Sequence, residues 1–123
     1  MTKRVLIVDD DEILCELFSI GFKLADFDVS IVNDGFAAIE FLKHETVDAI
    51  TLDHDMPGLS GKQVLEQIKA EHIADHTKII IVSANINIVN DKTYQQLSDH
   101  ILIKPVGFRQ LTQLAQKLIG END

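Results

Sequence analysis

The chain has one cysteine, two prolines, one tyrosine and no tryptophan, and its 11 lysines and arginines face 20 aspartates and glutamates. A lone thiol, Cys15, cannot close an internal disulfide, so the fold does not depend on covalent staples; within a helical pattern it reads as a small apolar filler. The formal charge of −9 repels phosphate backbones and anionic lipid. This argues against nucleic acid and membrane surfaces as partners and for neutral or basic protein faces. No apolar run approaches a signal h-region or a membrane span, so the expected location is the cytoplasm. Repeats, linkers and low-complexity tracts are missing too. With 46% hydrophobic residues spread along 123 positions, the expectation is one globular domain over 1–123 that buries its own core.

What is present alternates between two periods. Val5-Leu6-Ile7-Val8 is a continuous apolar run, as in a strand covered on both faces. Ile13, Leu14, Leu17, Phe18 and Phe22 then recur at helical spacing behind an acidic start. Asp28–Val32 alternates polar with apolar and reads as a half-exposed edge strand. A helix carrying Ala38, Ile39 and Leu42 starts at Asp34-Gly35, and Ala49–Leu52 is the third strand. Ser60 with Gln63 has the form of a capping box ahead of Val64, Leu65 and Ile68. Ile79–Val82 is a fourth strand, buried on both faces. Residues 85–90 carry no clear stripe, Asp91–Leu97 suggests a short helix, and Ile101–Ile103 is a fifth strand. Phe108, Leu111, Leu114, Ala115 and Leu118 form a last helix that stops at Gly120. Five strands alternating with five helices predict a doubly wound, flavodoxin-like α/β fold with a parallel sheet in the order 2-1-3-4-5.

That order gathers the carboxyl ends of strands one, three, four and five, where such sheets bind ligands. Polar residues directly follow the apolar runs there: Asp9 and Asp10, Asp53, Ser83 and Lys104. Two carboxylates ~4 Å apart repel by roughly 4 kcal/mol at an effective dielectric of about 20, so three need compensation. Magnesium suits an oxygen-rich, half-open site of this kind, Lys104 adds a point charge for an anion, and Ser83 adds a hydroxyl donor. The set describes a phosphoryl site with Asp53 as the nucleophile that forms an acyl phosphate.

With those residues in view, the chain resembles the receiver domain of two-component response regulators, of the single-domain chemotaxis type. The resemblance rests on Val8-Asp9-Asp10, on Asp53 followed by Met56-Pro57 and Gly61, on Ser83-Ala84 and on Lys104-Pro105, and it spans essentially the whole chain. It implies that Asp53 accepts a phosphoryl group from a phosphohistidine on a sensor kinase or a histidine phosphotransfer protein. It implies magnesium held by Asp10 and Asp53 through carboxylates, by Asp55 through its backbone carbonyl and by Asp9 through a water. Ser83 would bond the phosphoryl group, Lys104 would pair with Asp53 or its phosphate, and the Lys104–Pro105 bond would be cis. A stand-alone receiver that catalyses only its own phosphotransfer and dephosphorylation, and signals by protein–protein contact, is the expected function.

The departures lie near the last strand. Ile101 stands where the family commonly has an aromatic residue, Ser98-Asp99 replaces the usual Gly-Ala, and 85–90 lacks a helical stripe; the readout of phosphorylation is expected to differ. Asp55 and Asn85, each two residues beyond a site residue, are placed to influence the lifetime of the acyl phosphate or merely to be solvated. Two other readings stay open: a pseudo-receiver that binds without being phosphorylated, and an aspartate-nucleophile phosphatase built on Asp53-His54-Asp55. The histidines carry no motif of their own. His54 is expected to point away from its neighbours, His72 and His76 to be solvated, and His44 and His100 to lie near element ends.

Overall fold

In a computed structural model, which describes residues 2–120, strands and helices alternate along the chain. They are β1 (Arg4–Val8), α1 (Glu12–Leu24), β2 (Asp28–Val32), α2 (Gly35–His44), β3 (Ala49–Asp53), α3 (Gly61–Ala70) and β4 (Lys78–Ser83). A single 3-10 segment (Ile86–Asn90) then precedes α4 (Lys92–Leu97), β5 (His100–Ile103) and α5 (Phe108–Gly120). The five strands form one parallel sheet in the expected order, β2-β1-β3-β4-β5.

Alternation along the strands divides the core in two. Leu6, Val8, Ile50, Leu52, Ile79 and Ile81 face α2, α3 and α4, where Leu42, Leu65, Ile68 and Tyr94 cover them. Val5, Ile7, Ala49, Ile80 and Val82 face α1 and α5, where Cys15, Phe18, Phe22, Leu111 and Ala115 cover them. The three central strands are buried on both faces, and for that reason they read as unbroken apolar runs.

Side-chain oxygens start the helices. Asp11 accepts from the backbone N–H of Ile13 and Leu14, Asp34 from Ala37, and Asp91 from Thr93 and Tyr94. Ser60 and Gln63 form the predicted capping box. At Gly61 helix α3 closes directly onto the end of β3: its N–H donates to the His54 carbonyl over 3.1 Å. A Cβ there would overlap the Asp53 carbonyl, so only glycine fits.

Three expectations change in detail. On α1 the buried face is Cys15, Phe18, Ser19 and Phe22, whereas Ile13 and Leu17 are 74% and 49% exposed. They share the helical spacing but sit on its outer edge. On α5 the buried set is Leu111, Thr112, Ala115 and Ile119, one step further round than the apolar stripe suggested. Strand β2 is an edge strand as expected, yet Ile31 on it is exposed. Among the described residues no helix is long and apolar enough to cross a membrane.

Candidate functional site

Each site residue is delivered by the end of a β-strand. Asp9 follows β1, Asp53 ends β3, Ser83 ends β4, and Lys104 follows β5. Asp9, Asp53 and Ser83 are almost wholly buried, at 2%, 3% and 0% exposure. Buried charges must be paired or bonded, and these are. The Lys104 ammonium lies 3.1 Å from Asp9 Oδ2 and 3.4 Å from Asp53 Oδ1. Asp9 Oδ1 accepts from the Asp11 N–H at 2.9 Å, and Asp53 Oδ1 from the Asp55 N–H at 3.4 Å.

One ammonium does not balance the acids. Burial, and next the Asp9 carboxylate, push the Asp53 carboxyl up from 3.8 to about 7, against the opposing pull of Lys104. Burial works against the Lys104 charge, but Asp53 and Asp9 outweigh it and leave Lys104 above the ordinary lysine value. The exposed Asp10 completes a triad with Asp9 and Asp53: one carboxylate oxygen from each lies within 4.8 Å of the others. Three hard oxygens, two of them buried and one open to solvent, fit a divalent cation that retains water.

Ser83 and Asp55 form the opposite wall. The Ser83 hydroxyl accepts from the Asn85 N–H at 3.0 Å and points at Asp55 Oδ2 at 3.5 Å. The Asp55 side chain is 62% exposed. Beyond Lys104 the chain turns through a cis Lys104–Pro105 bond, as expected. Asp11 is the N-cap of α1, and Ile101 at its partly buried position on β5 offers no polar group.

Two residues of this neighbourhood escape a strand-based reading. His54 is not a solvated side chain pointing away: its Nδ1 lies 2.5 Å from the Tyr94 hydroxyl, and its side chain is only 22% exposed. Once β3 ends at Asp53, the turn and not the strand alternation sets the direction of the ring. Tyr94 on α4 is completely buried and is among the largest such side chains. A lone tyrosine in a short polar helix, with a histidine next to the strand-end acid, was the signal available. The other histidines stay at the surface; His72 pairs with Asp75 at 3.4 Å and His44 with Glu40 at 3.1 Å.

A family model described as response regulator receiver domain matches residues 5–116. The chain belongs to that family. As a receiver domain it is similar to the DNA-binding response regulator MtrA of Mycolicibacterium paratuberculosis, with 26% identity over the full chain and 54% of the relative. The chain thus spans about half the length of such curated relatives. Among solved structures it resembles the receiver domain of the Francisella response regulator 1452, with 26% identity, a TM-score of 0.89 and coverage of 99% of this chain and 100% of that one. It also resembles the response regulator TrrA of Thermotoga maritima in complex with Mg(2+)-BeF, at 26% identity, a TM-score of 0.86 and coverage of 95% and 99%. Family, sheet order and acid triad agree on a signalling module of two-component systems.

Proposed function

We propose that this receiver domain accepts a phosphoryl group on Asp53 from a phosphohistidine of a sensor kinase or histidine phosphotransfer protein. The observation that carries the reading is the convergence on Asp53 of an acid triad and the Lys104 ammonium at one sheet end. In the transfer, an Asp53 oxygen supplies the electron pair of the new O–P bond as the P–N bond of the donor breaks, and the leaving imidazole nitrogen takes the P–N pair while the ring as a whole carries one proton. Lys104 holds a phosphoryl oxygen, and the Ser83 hydroxyl turns from Asp55 to donate to another. Because the Asp53 carboxyl sits near 7 without a cation, added positive charge would shift the site further toward its reactive, ionised form.

Asp10 and Asp53 would hold magnesium through carboxylate oxygens, Asp55 through its backbone carbonyl, and Asp9 through a bound water. Such an ion supplies the charge that Lys104 alone does not, as the Mg(2+)-BeF complex of the Thermotoga relative supports. Catalysis is confined to the domain's own phosphotransfer and dephosphorylation. The signal passes on through protein–protein contact, in keeping with the net charge of −9.

The test is intact mass after incubation with magnesium and acetyl phosphate, beside Asp53→Asn. A single phosphoryl adduct that requires magnesium and is absent from the variant is expected. Failure with acetyl phosphate and with phosphohistidine donors alike would turn the reading to a phosphorylation-independent pseudo-receiver. Steady phosphate release from added esters would turn it to an aspartate-nucleophile phosphatase.

A further inference from the structure

We propose that His54 and Tyr94 tie the Asp55 carboxylate to helix α4 through one polar chain and so carry the state of the Asp53 site to that helix. The proposal rests on the phosphoacceptor reading of Asp53 and extends it to the route by which the site communicates.

The contacts run in one file whose widest step is that from His54 to Asp55. The Tyr94 hydroxyl meets His54 Nδ1 at 2.5 Å, His54 Nε2 lies 3.8 Å from Asp55 Oδ1, and Asp55 Oδ2 lies 3.5 Å from the Ser83 hydroxyl. With the hydrogen on Nε2, toward the Asp55 carboxylate, Nδ1 is free to accept from the Tyr94 O–H. The two rings meet edge to face, with centroids 5.4 Å apart and planes at 78°, which holds the imidazole in this orientation.

Helix α4 is suited to respond. It has only six residues, Lys92–Leu97, and Tyr94 is its buried anchor. Its N-cap, Asp91, is bound to Lys62 of α3 at 3.0 Å, and its Tyr94 meets His54, so two polar ties add to its apolar packing. On β5, Ile101 carries no hydrogen-bonding group. A polar route from the Asp53–Asp55 turn to α4 runs through His54, beside the longer one through Ser83, Asn85 and the 3-10 segment.

A phosphoryl group on Asp53 brings about −1.5 to −2 charges and three acceptor oxygens beside Asp55. It competes for the Ser83 hydroxyl and repels the Asp55 carboxylate. Asp55 then changes its distance to His54, and the imidazole passes the displacement to Tyr94 and α4. This gives phosphorylation a differential contact between two states of α4, without which no population shift can occur.

Tyr94 is the single tyrosine of a chain without tryptophan, so intrinsic emission reports on this hydroxyl alone. The experiment follows tyrosine emission and intact mass in the same samples of full chain, with magnesium, before and after addition of acetyl phosphate. Wild type, His54→Leu and His54→Asn are compared; the Asn carboxamide oxygen can stand where Nδ1 accepts. In the wild type the emission shifts in step with the adduct. In His54→Leu the adduct forms but the emission response is lost, and it stays lost in His54→Asn, which keeps an acceptor for the Tyr94 hydroxyl but has no atom at Nε2 to meet Asp55. An adduct without an emission response in the wild type, or an undiminished response in His54→Leu, overturns the proposal. Absence of an adduct in the wild type overturns the phosphoacceptor reading, and this inference falls with it.

Discussion

Lys104 Nζ stands 3.4 Å from Asp53 Oδ1, a pairing that joins the end of β5 to the end of β3 across 51 positions of sequence. The same ammonium serves Asp9, so two buried carboxylates depend on one cation. Replacing it by Lys104→Gln leaves buried charge unpartnered, at a cost of about 1–3 kcal/mol. Urea unfolding near neutral pH with a chelator present should show this loss. Added magnesium should return more stability to the variant than to the wild type.

The raised Asp53 carboxyl makes metal-free stability depend on pH in the direction opposite to most acids. Between the unfolded value of 3.8 and the folded value of about 7, the folded state holds a proton that the unfolded state has released. Stability from this group is therefore full below the unfolded value and is lost as pH rises through the folded one. At roughly 1.4 kcal/mol per tenfold change in proton affinity, the difference is on the order of 4 kcal/mol. Asp53→Asn, which carries no such proton, is expected to melt higher than the wild type above about pH 8 in chelator, with the gap narrowing toward about pH 5. Parallel melting curves across that range would contradict the account.

Tyr94 and His54 should show coupled stability. His54→Leu strands a fully buried hydroxyl and is expected to cost about 1–3 kcal/mol. Tyr94→Phe keeps the ring and frees only a half-buried imidazole that water can reach, so its cost is under about 1 kcal/mol. In the double variant the His54→Leu penalty should shrink, with a coupling energy of about 0.5–3 kcal/mol measured by chemical denaturation.

Gly61→Ala drives a methyl group into the Asp53 carbonyl. The strand end and the start of α3 must separate, which is expected to cost about 1–3 kcal/mol. Because the displaced residue is the proposed phosphoacceptor, the initial rate of adduct formation should fall as well. Unchanged stability with an unchanged rate would show that the junction is softer than the contact implies.

Cys15 is 1% exposed, and burial, followed by the Asp9 charge, pushes its thiol from 9.0 to about 11. Thiolate is the reacting form, so at about pH 8 its fraction is roughly 100-fold below that of an ordinary cysteine. Labelling by a disulfide reagent should be slower than in the urea-unfolded chain by at least that factor.

Much of this architecture was legible because a parallel sheet writes plainly into sequence. Strands covered on both faces are unbroken apolar runs, and the polar residue that ends each run marks the same edge of the sheet. Asp9, Asp53, Ser83 and Lys104 were visible for that reason, and the open Asp10 by adjacency. Ile13 and Leu17 were misplaced because helical spacing cannot tell the centre of a face from its rim. The segment from Asn85 to Asn90 was obscure because a side-chain cap at Asn85 shapes it, with little help from an apolar stripe, whereas the short helix expected over Asp91–Leu97 is α4. His54 was misread because a turn re-aims side chains in a way that strand alternation does not describe.

The sheet separates two cores, and each holds one unique chromophore or nucleophile: Tyr94 lies with α2, α3 and α4, and Cys15 with α1 and α5. The unmodified chain thus carries an independent reporter on either side of its dividing wall. An event confined to one side registers in tyrosine emission or in thiol labelling, and opening of the whole domain registers in both at one rate.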